Sequence, residues 1–148
     1  MGAELVLQSI DALAHGQSTA IEQDPALASS APRLKKTDGL IEWARSATAI
    51  RNQVRAMAPW PKAYTFYRRG GGEPMRLILE QVSQVNCNTS APPGAVHEAS
   101  GDELLVATGD GVLRIDRLQP AGKRVLTASE FLRGYPMQPG DQLESGTG

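Results

Sequence analysis

Apolar positions recur with two different periods along this chain, and the change of period divides it. From Ala3 to His15 (AELVLQSIDALAH), Val6, Ile10 and Leu13 fall on one helical stripe and Gly16 follows as a C′ glycine. That predicts a helix whose apolar face needs a partner. Between Gln17 and Asp38 the period is lost, and Ser, Ala, Thr, Pro25 and Pro32 predict an extended linker. A second stripe, Ile50, Val54 and Met57, begins behind the N-cap Ser46 and stops before Pro59 and Pro61. Each proline removes a backbone donor and biases the residue before it toward extended geometry. From Ala63 onward the period drops to two. Residues 63–67 (AYTFY) read as a strand, and Met75, Leu77 and Leu79 share a face before Val82 and Val85 break the parity. A bulge or strong coil near Glu80–Gln81 is the expected cause.

Turns then recur at roughly ten-residue spacing. Pro93–His97 starts a short strand, Gly101–Asp102 turns into Leu104–Thr108, and Gly109-Asp110-Gly111 reverses into Val112–Leu118. No helical pattern separates these strands, so a closed or partly closed antiparallel barrel is expected in place of an α/β sheet. Behind the basic loop Gln119–Arg124 comes a helix start: Thr127 as N-cap, Glu130 three residues on to close a capping box, and Leu126 set to staple against Phe131. Gly134 ends that helix. The fold class expected is α+β, mainly β: a small antiparallel barrel with one packed helix, a leading helix and an extended linker. Trp43, Trp60, Tyr64 and Phe131 are expected as core and staple residues at the junctions such a barrel buries.

Charge changes the picture more than composition does. The chain of 148 residues has a formal net charge of −1, enough length for one medium domain or a small domain with an appendage. Yet residues 1–32 hold four acidic and no basic residues, while all 15 Lys and Arg lie between Arg33 and Arg133. A basic body behind an acidic leader fits an anionic partner, and a solvated basic face accounts for it about as well. Arg51 and Arg55 lie one helical turn apart, where like charges repel unless an anion faces them.

Other chemistry finds little support. Cys87 is the only cysteine, so no intrachain disulfide can form, a cysteine-based metal site cannot be assembled, and a reducing cytoplasm is the natural setting. His15 and His97 have no nucleophile at a useful sequence spacing. Asp102 and Glu103 are adjacent and point to opposite faces of a strand, which is wrong for a carboxylate pair. The loop Arg68–Pro74 (RRGGGEP) joins two strands and lacks phosphate-loop spacing. No stretch approaches the ~18 apolar residues of a membrane span.

Two long motifs carry a resemblance. Trp43, Ile50–Ala56 (IRNQVRA) and Pro59–Thr65 (PWPKAYT), and then Arg114–Arg124 (RIDRLQPAGKR) with Ala128, Phe131-Leu132 and Gly134, are similar to the C-terminal domain of methionyl-tRNA formyltransferase. Ala31–Lys36 (APRLKK) resembles that family's linker, and Pro139–Leu143 its ending. The family usually has Gly where Lys62 stands. The resemblance implies an OB-like barrel over 39–143 behind a linker over 18–38, and the last residues, 144–148, are expected as a frayed tail. It also implies that residues 1–17 are the last helix of an N-terminal catalytic domain absent here, so that the chain alone is expected to be inactive.

The function so implied belongs to translation initiation. The barrel would help hold initiator methionyl-tRNA by phosphate contacts while the N-terminal domain transfers formyl from 10-formyltetrahydrofolate. This chain would bind no cofactor or metal itself and would meet no membrane. The basic residues proposed for those contacts are Arg33, Lys35, Lys36, Arg51, Arg55, Lys62, Arg68, Arg69, Lys123 and Arg124. Each is by default a solvated charge, and about half are expected to matter. The alternatives are an accessory barrel of another formyltetrahydrofolate-dependent formyltransferase with no RNA role, or an inactive truncated remnant.

Overall fold

The computed structural model describes residues 2–70, 72–87 and 89–146. Contacts divide the chain into two units, Met1–Arg33 and Leu34–Gly148. In the first, helix α1 spans Gly2–Ala14 and has no buried residue. Its stripe is open, with Val6 58%, Ile10 55% and Leu13 66% exposed. Gly16 closes the helix at φ +68°, a left-handed geometry that glycine adopts without penalty. A 3-10 turn, Pro25–Leu27, interrupts the linker, where Asp24 Oδ1 accepts from Ala26 N at 2.9 Å.

Among its described residues the second unit holds a 3-10 turn (Lys36–Gly39), two α-helices, α2 (Ala47–Ala56) and α3 (Ala128–Gly134), and seven strands. The strands are β1 Ala63–Tyr67, β2 Met75–Val85, β3 Val96–Ser100, β4 Glu103–Ala107, β5 Val112–Pro120, β6 Leu126–Thr127 and β7 Leu143–Glu144. They run in the order β3-β4-β5-β2-β1-β7, with β6 on β5, and every strand pairing is antiparallel. Leu143 N donates to Gly94 O at 2.8 Å and Val96 N to Asp141 O at 2.7 Å, which ties the β7 end of the sheet to the β3 end. The sheet thereby curls into the expected OB-like half-barrel. An α+β fold dominated by β is what the alternating pattern foretold.

Strand β2 shows why it curls. Its pairing with β5 shifts register on both sides of Gln81, and an extra residue in one strand bends it and increases its twist. The concave side gathers one core from Trp43, Ile50, Val54, Leu77, Leu79, Leu113, Ile115, Leu118 and Phe131. Helix α2 lays Ala47, Ile50 and Val54 against it, and α3 lays Ala128 and Phe131. Trp43 is 2% exposed, and its indole Nε1 donates to the buried Thr65 Oγ1 at 3.0 Å.

The turn between α2 and β1 is held tightly. Both Ala58-Pro59 and Trp60-Pro61 are cis, and Lys62, where glycine was the family expectation, sits at φ +67°. Lys62 N donates to Met57 O at 2.9 Å, and the Lys62 carbonyl approaches Gly39 so closely that a Cβ there would collide with it.

Several expectations are corrected. Trp60 is 51% exposed on the turn and does not reach the core. Tyr64 belongs to the half-buried convex face of β1, because Ala63, Thr65 and Tyr67 take the concave side. Glu144 and Ser145, expected in a frayed tail, are bound: Glu144 pairs with Phe66 in β7, and Trp43 N donates to Ser145 Oγ at 3.2 Å.

Candidate functional site

Helix α2 carries the best-formed basic surface. Ser46 Oγ caps it by accepting from Ala49 N at 3.2 Å, and burial of Ile50 and Val54 turns Arg51 and Arg55 outward. Together with Ala58 at its end and Glu80, Gln81 and Val82 at the β2 bulge, they line an open hollow of about 510 Å³. Neither arginine has an ion-pair or hydrogen-bond partner among the described residues. The bulge residues thus form one side of the hollow, and the helical spacing places two guanidinium groups without ion-pair partners on the other.

The remaining predicted cations divide by whether the fold already uses them. Lys62 Nζ pairs with Glu80 Oε1 beside the same hollow. Arg68 Nε donates to both carboxylate oxygens of Glu144, at 3.0 and 3.1 Å. Arg124 Nη2 donates to Glu130 Oε1 at 2.8 Å, alongside the completed capping box of α3. The Arg124 guanidinium, and after it the Thr127 backbone N–H, hold the Glu130 carboxyl down to about 2. Arg69 and Lys123 are exposed on the loops before β2 and after β5, and Lys35 and Lys36 are exposed at the start of the second unit. Arg33 ends the first unit, also exposed. The structure thus brings Arg51 and Arg55 to one hollow, with Lys62 joined to it through Glu80. Arg68 and Arg124 are held at separate ion pairs.

Three arrangements escaped the sequence. Arg76 stacks on the Tyr64 ring, its guanidinium carbon 3.9 Å from the ring centroid. Alternation from Leu77 and Leu79 put Arg76 on the convex face, so parity held the signal. His97 Nε2 lies 3.7 Å from Cys87 Sγ, and His97 Nδ1 lies 3.3 Å from Thr89 Oγ1. No sequence spacing marks that contact, because the β2–β3 connection folds back to make it. Asp102 and Glu103 both reach Arg114, at 3.7 and 3.9 Å, with Asp116 at 3.2 Å. The hairpin turn at Asp102 brings together carboxylates that simple strand alternation would separate. Among the described residues no three His, Cys, Asp or Glu gather as a metal site needs, and no helix is long and apolar enough to cross a membrane.

A small antiparallel half-barrel with a helix packed on its core and a basic helix face beside a strand bulge is the class of domain these residues build. The family model of the formyl transferase C-terminal domain matches residues 33–136, and the chain belongs to that family. It is 43% identical over 143 residues to a methionyl-tRNA formyltransferase of Citrifermentans bemidjiense, covering 97% of this chain and 43% of that protein. It is 42% identical over 134 residues to the methionyl-tRNA formyltransferase of Desulfotalea psychrophila, covering 90% and 40%. The chain thus spans about two fifths of the length of these relatives. Among solved structures, a HypX variant from Aquifex aeolicus superposes with a TM-score of 0.60 at 16% identity, over 94% of this chain and 24% of HypX. HypX in complex with tetrahydrofolic acid gives 0.56 at 18%, over 95% and 26%. These likenesses are of fold alone.

Proposed function

We propose that this chain is the tRNA-holding part of a cytoplasmic methionyl-tRNA formyltransferase that acts in translation initiation. Its barrel grips initiator methionyl-tRNA through phosphate contacts while an N-terminal domain transfers the formyl group from 10-formyltetrahydrofolate. The observation that carries this reading is the unpaired Arg51–Arg55 rim on α2. Two guanidinium groups one turn apart repel each other, and the carboxylate that lines their hollow, Glu80, is taken by Lys62, so an external polyanion is the natural counter-charge. Phosphate contacts of this kind set orientation and register without reading sequence.

The ten basic candidates carry unequal weight. Arg51, Arg55, Arg69, Lys123, Lys35 and Lys36, with Arg33 on the linker, are available to phosphate without breaking an ion pair. Lys62, Arg68 and Arg124 must first leave Glu80, Glu144 and Glu130. The exposed stripe Val6, Ile10 and Leu13 on α1 supports docking of that helix on the N-terminal domain. The formyl donor is assigned to that domain too, and this chain is taken to hold no cofactor.

The test is binding of initiator methionyl-tRNA by the chain between ~50 and ~200 mM salt. Several phosphate contacts give a steep log–log loss of affinity, about 0.7 to 0.9 in slope per phosphate neutralised. Arg51→Gln with Arg55→Gln should weaken binding and flatten that slope by one to two such contacts. Absence of salt-dependent binding would overturn the reading and favour an accessory barrel without an RNA role.

A further inference from the structure

We propose that Arg76 is a phosphate-binding point for RNA on the convex face of the β1–β2 sheet, outside the set of basic residues that the sequence singled out. The inference rests on the tRNA-holding role and adds a residue and a surface to it.

The convex face presents Tyr64 and Phe66 from β1 opposite Ile78 and Arg76 from β2, since Tyr64 pairs with Ile78 and Phe66 with Arg76 across the ladder. The Tyr64 and Phe66 rings meet edge to face at 5.7 Å, which fixes the Tyr64 plane. Arg76 lies over that plane at 3.9 Å, so its planar fork is held in place before any ligand arrives. A pre-set guanidinium loses less freedom on binding a phosphate oxygen pair than a free surface arginine does.

Charge on this face points the same way. Glu144, opposite Phe66 in β7, is taken by Arg68 through both carboxylate oxygens. Glu80, further along β2, is taken by Lys62. These two carboxylates are each neutralised by another cation, and no carboxylate pairs with Arg76 among the described residues. Its Nε is buried and has no hydrogen-bond partner. Immediately beside it, Ala121 N donates to Arg76 O at 3.0 Å, which anchors the loop carrying Lys123 to the same strand. That loop carries Lys123, which is exposed.

The experiment uses the whole chain and a tRNA transcript, with affinity measured across ~50 to ~200 mM salt. Arg76→Met should weaken binding about three- to tenfold at the low end and reduce the slope by about 0.7 to 0.9, the share of one phosphate. Arg76→Lys keeps the charge without the stacked fork, so it should retain the slope and recover only part of the affinity. Tyr64→Leu should resemble Arg76→Lys, because it removes the shelf and leaves the charge. Thermal melts of all three establish that the barrel is folded in each. If the unsubstituted chain binds with a steep slope and Arg76→Met leaves both affinity and slope unchanged, this proposal fails while the tRNA-holding role stands. Equal losses in Arg76→Lys and Arg76→Met with an unchanged slope would make Arg76 a packing residue and overturn it as well. If the unsubstituted chain binds no tRNA, both readings fall together.

Discussion

Helices α2 and α3 begin alike and leave their charges in opposite states. Ser46 caps one and Thr127 the other, each hydroxyl accepting the third backbone N–H of its helix at 3.2 Å. Each buries a short apolar face in the same core. At α3 the adjacent cation is spent on structure, with Arg124 on Glu130 and Glu130 reaching back to Thr127 N at 2.9 Å. At α2 there is no acidic residue in the first turn, and among the described residues no carboxylate forms an ion pair with Arg51 or Arg55, the Glu80 that shares their hollow being paired with Lys62. A basic residue near a helix says little by itself, and the carboxylate beside it decides whether the charge holds the fold or faces a partner.

The largest effects should fall on what the two helices share. Phe131→Ala and Ile50→Ala, both at fully buried positions, should each destabilise the barrel by about 2 to 5 kcal/mol, the phenylalanine more. Thermal or urea unfolding would check this. Much smaller losses at either site would mean that its helix is not anchored as the buried face implies.

Next come the caps. Ser46→Ala should cost about 1 kcal/mol, and Thr127→Ala somewhat more, because its hydroxyl also donates to the Glu130 carboxylate at 3.3 Å. Equal losses would deny the capping box any added role. Below these in stability, Arg51→Gln with Arg55→Gln should leave unfolding within about 0.5 kcal/mol of the unsubstituted chain, since removal of a like-charge pair offsets the lost stems. A marked destabilisation there would show that these arginines serve the fold, and would erase the contrast with Arg124.

How far the sequence foretold this contrast depended on distance along the chain. The two caps, the break of parity near Gln81 and the Gly109–Gly111 reversal are local, written within a few residues, and the structure has them where the pattern put them. The pairing of β7 with β1 and the Gly94–Leu143 bond connect distant segments, so Glu144 and Ser145 looked like a free tail. Tyr64 and Trp60 were misplaced for a related reason. An aromatic at a junction is a candidate for the core, but strand parity gave the concave side to Ala63, Thr65 and Tyr67. Of the candidate site, Arg51 and Arg55 were legible as a helical pair. That Lys62, Arg68 and Arg124 find carboxylates was not, since two of those three partners lie on other strands. Arg76 was within reach through parity with Leu77 and Leu79, but its stacking depended on a ring from β1.

The finest test of the contrast is pH. Glu130 is held at about 2 in the folded chain against an ordinary 4.5, chiefly by Arg124 and then by Thr127 N–H. A carboxyl depressed on folding favours the folded state wherever it is ionised in both states, so this contribution is complete above about 4.5 and is lost as pH falls toward about 2. Stability curves of the unsubstituted chain and Glu130→Gln should therefore lie apart at pH 6 and converge between about 4.5 and 2. Arg124→Gln should keep part of the separation, because Thr127 N–H still binds the carboxylate. Arg51→Gln with Arg55→Gln should follow the unsubstituted curve through that window, as no carboxylate answers to those arginines. Parallel Glu130→Gln and unsubstituted curves from pH 6 to 2 would mean that the α3 ion pair adds nothing on folding, and the two helices would then differ in geometry alone.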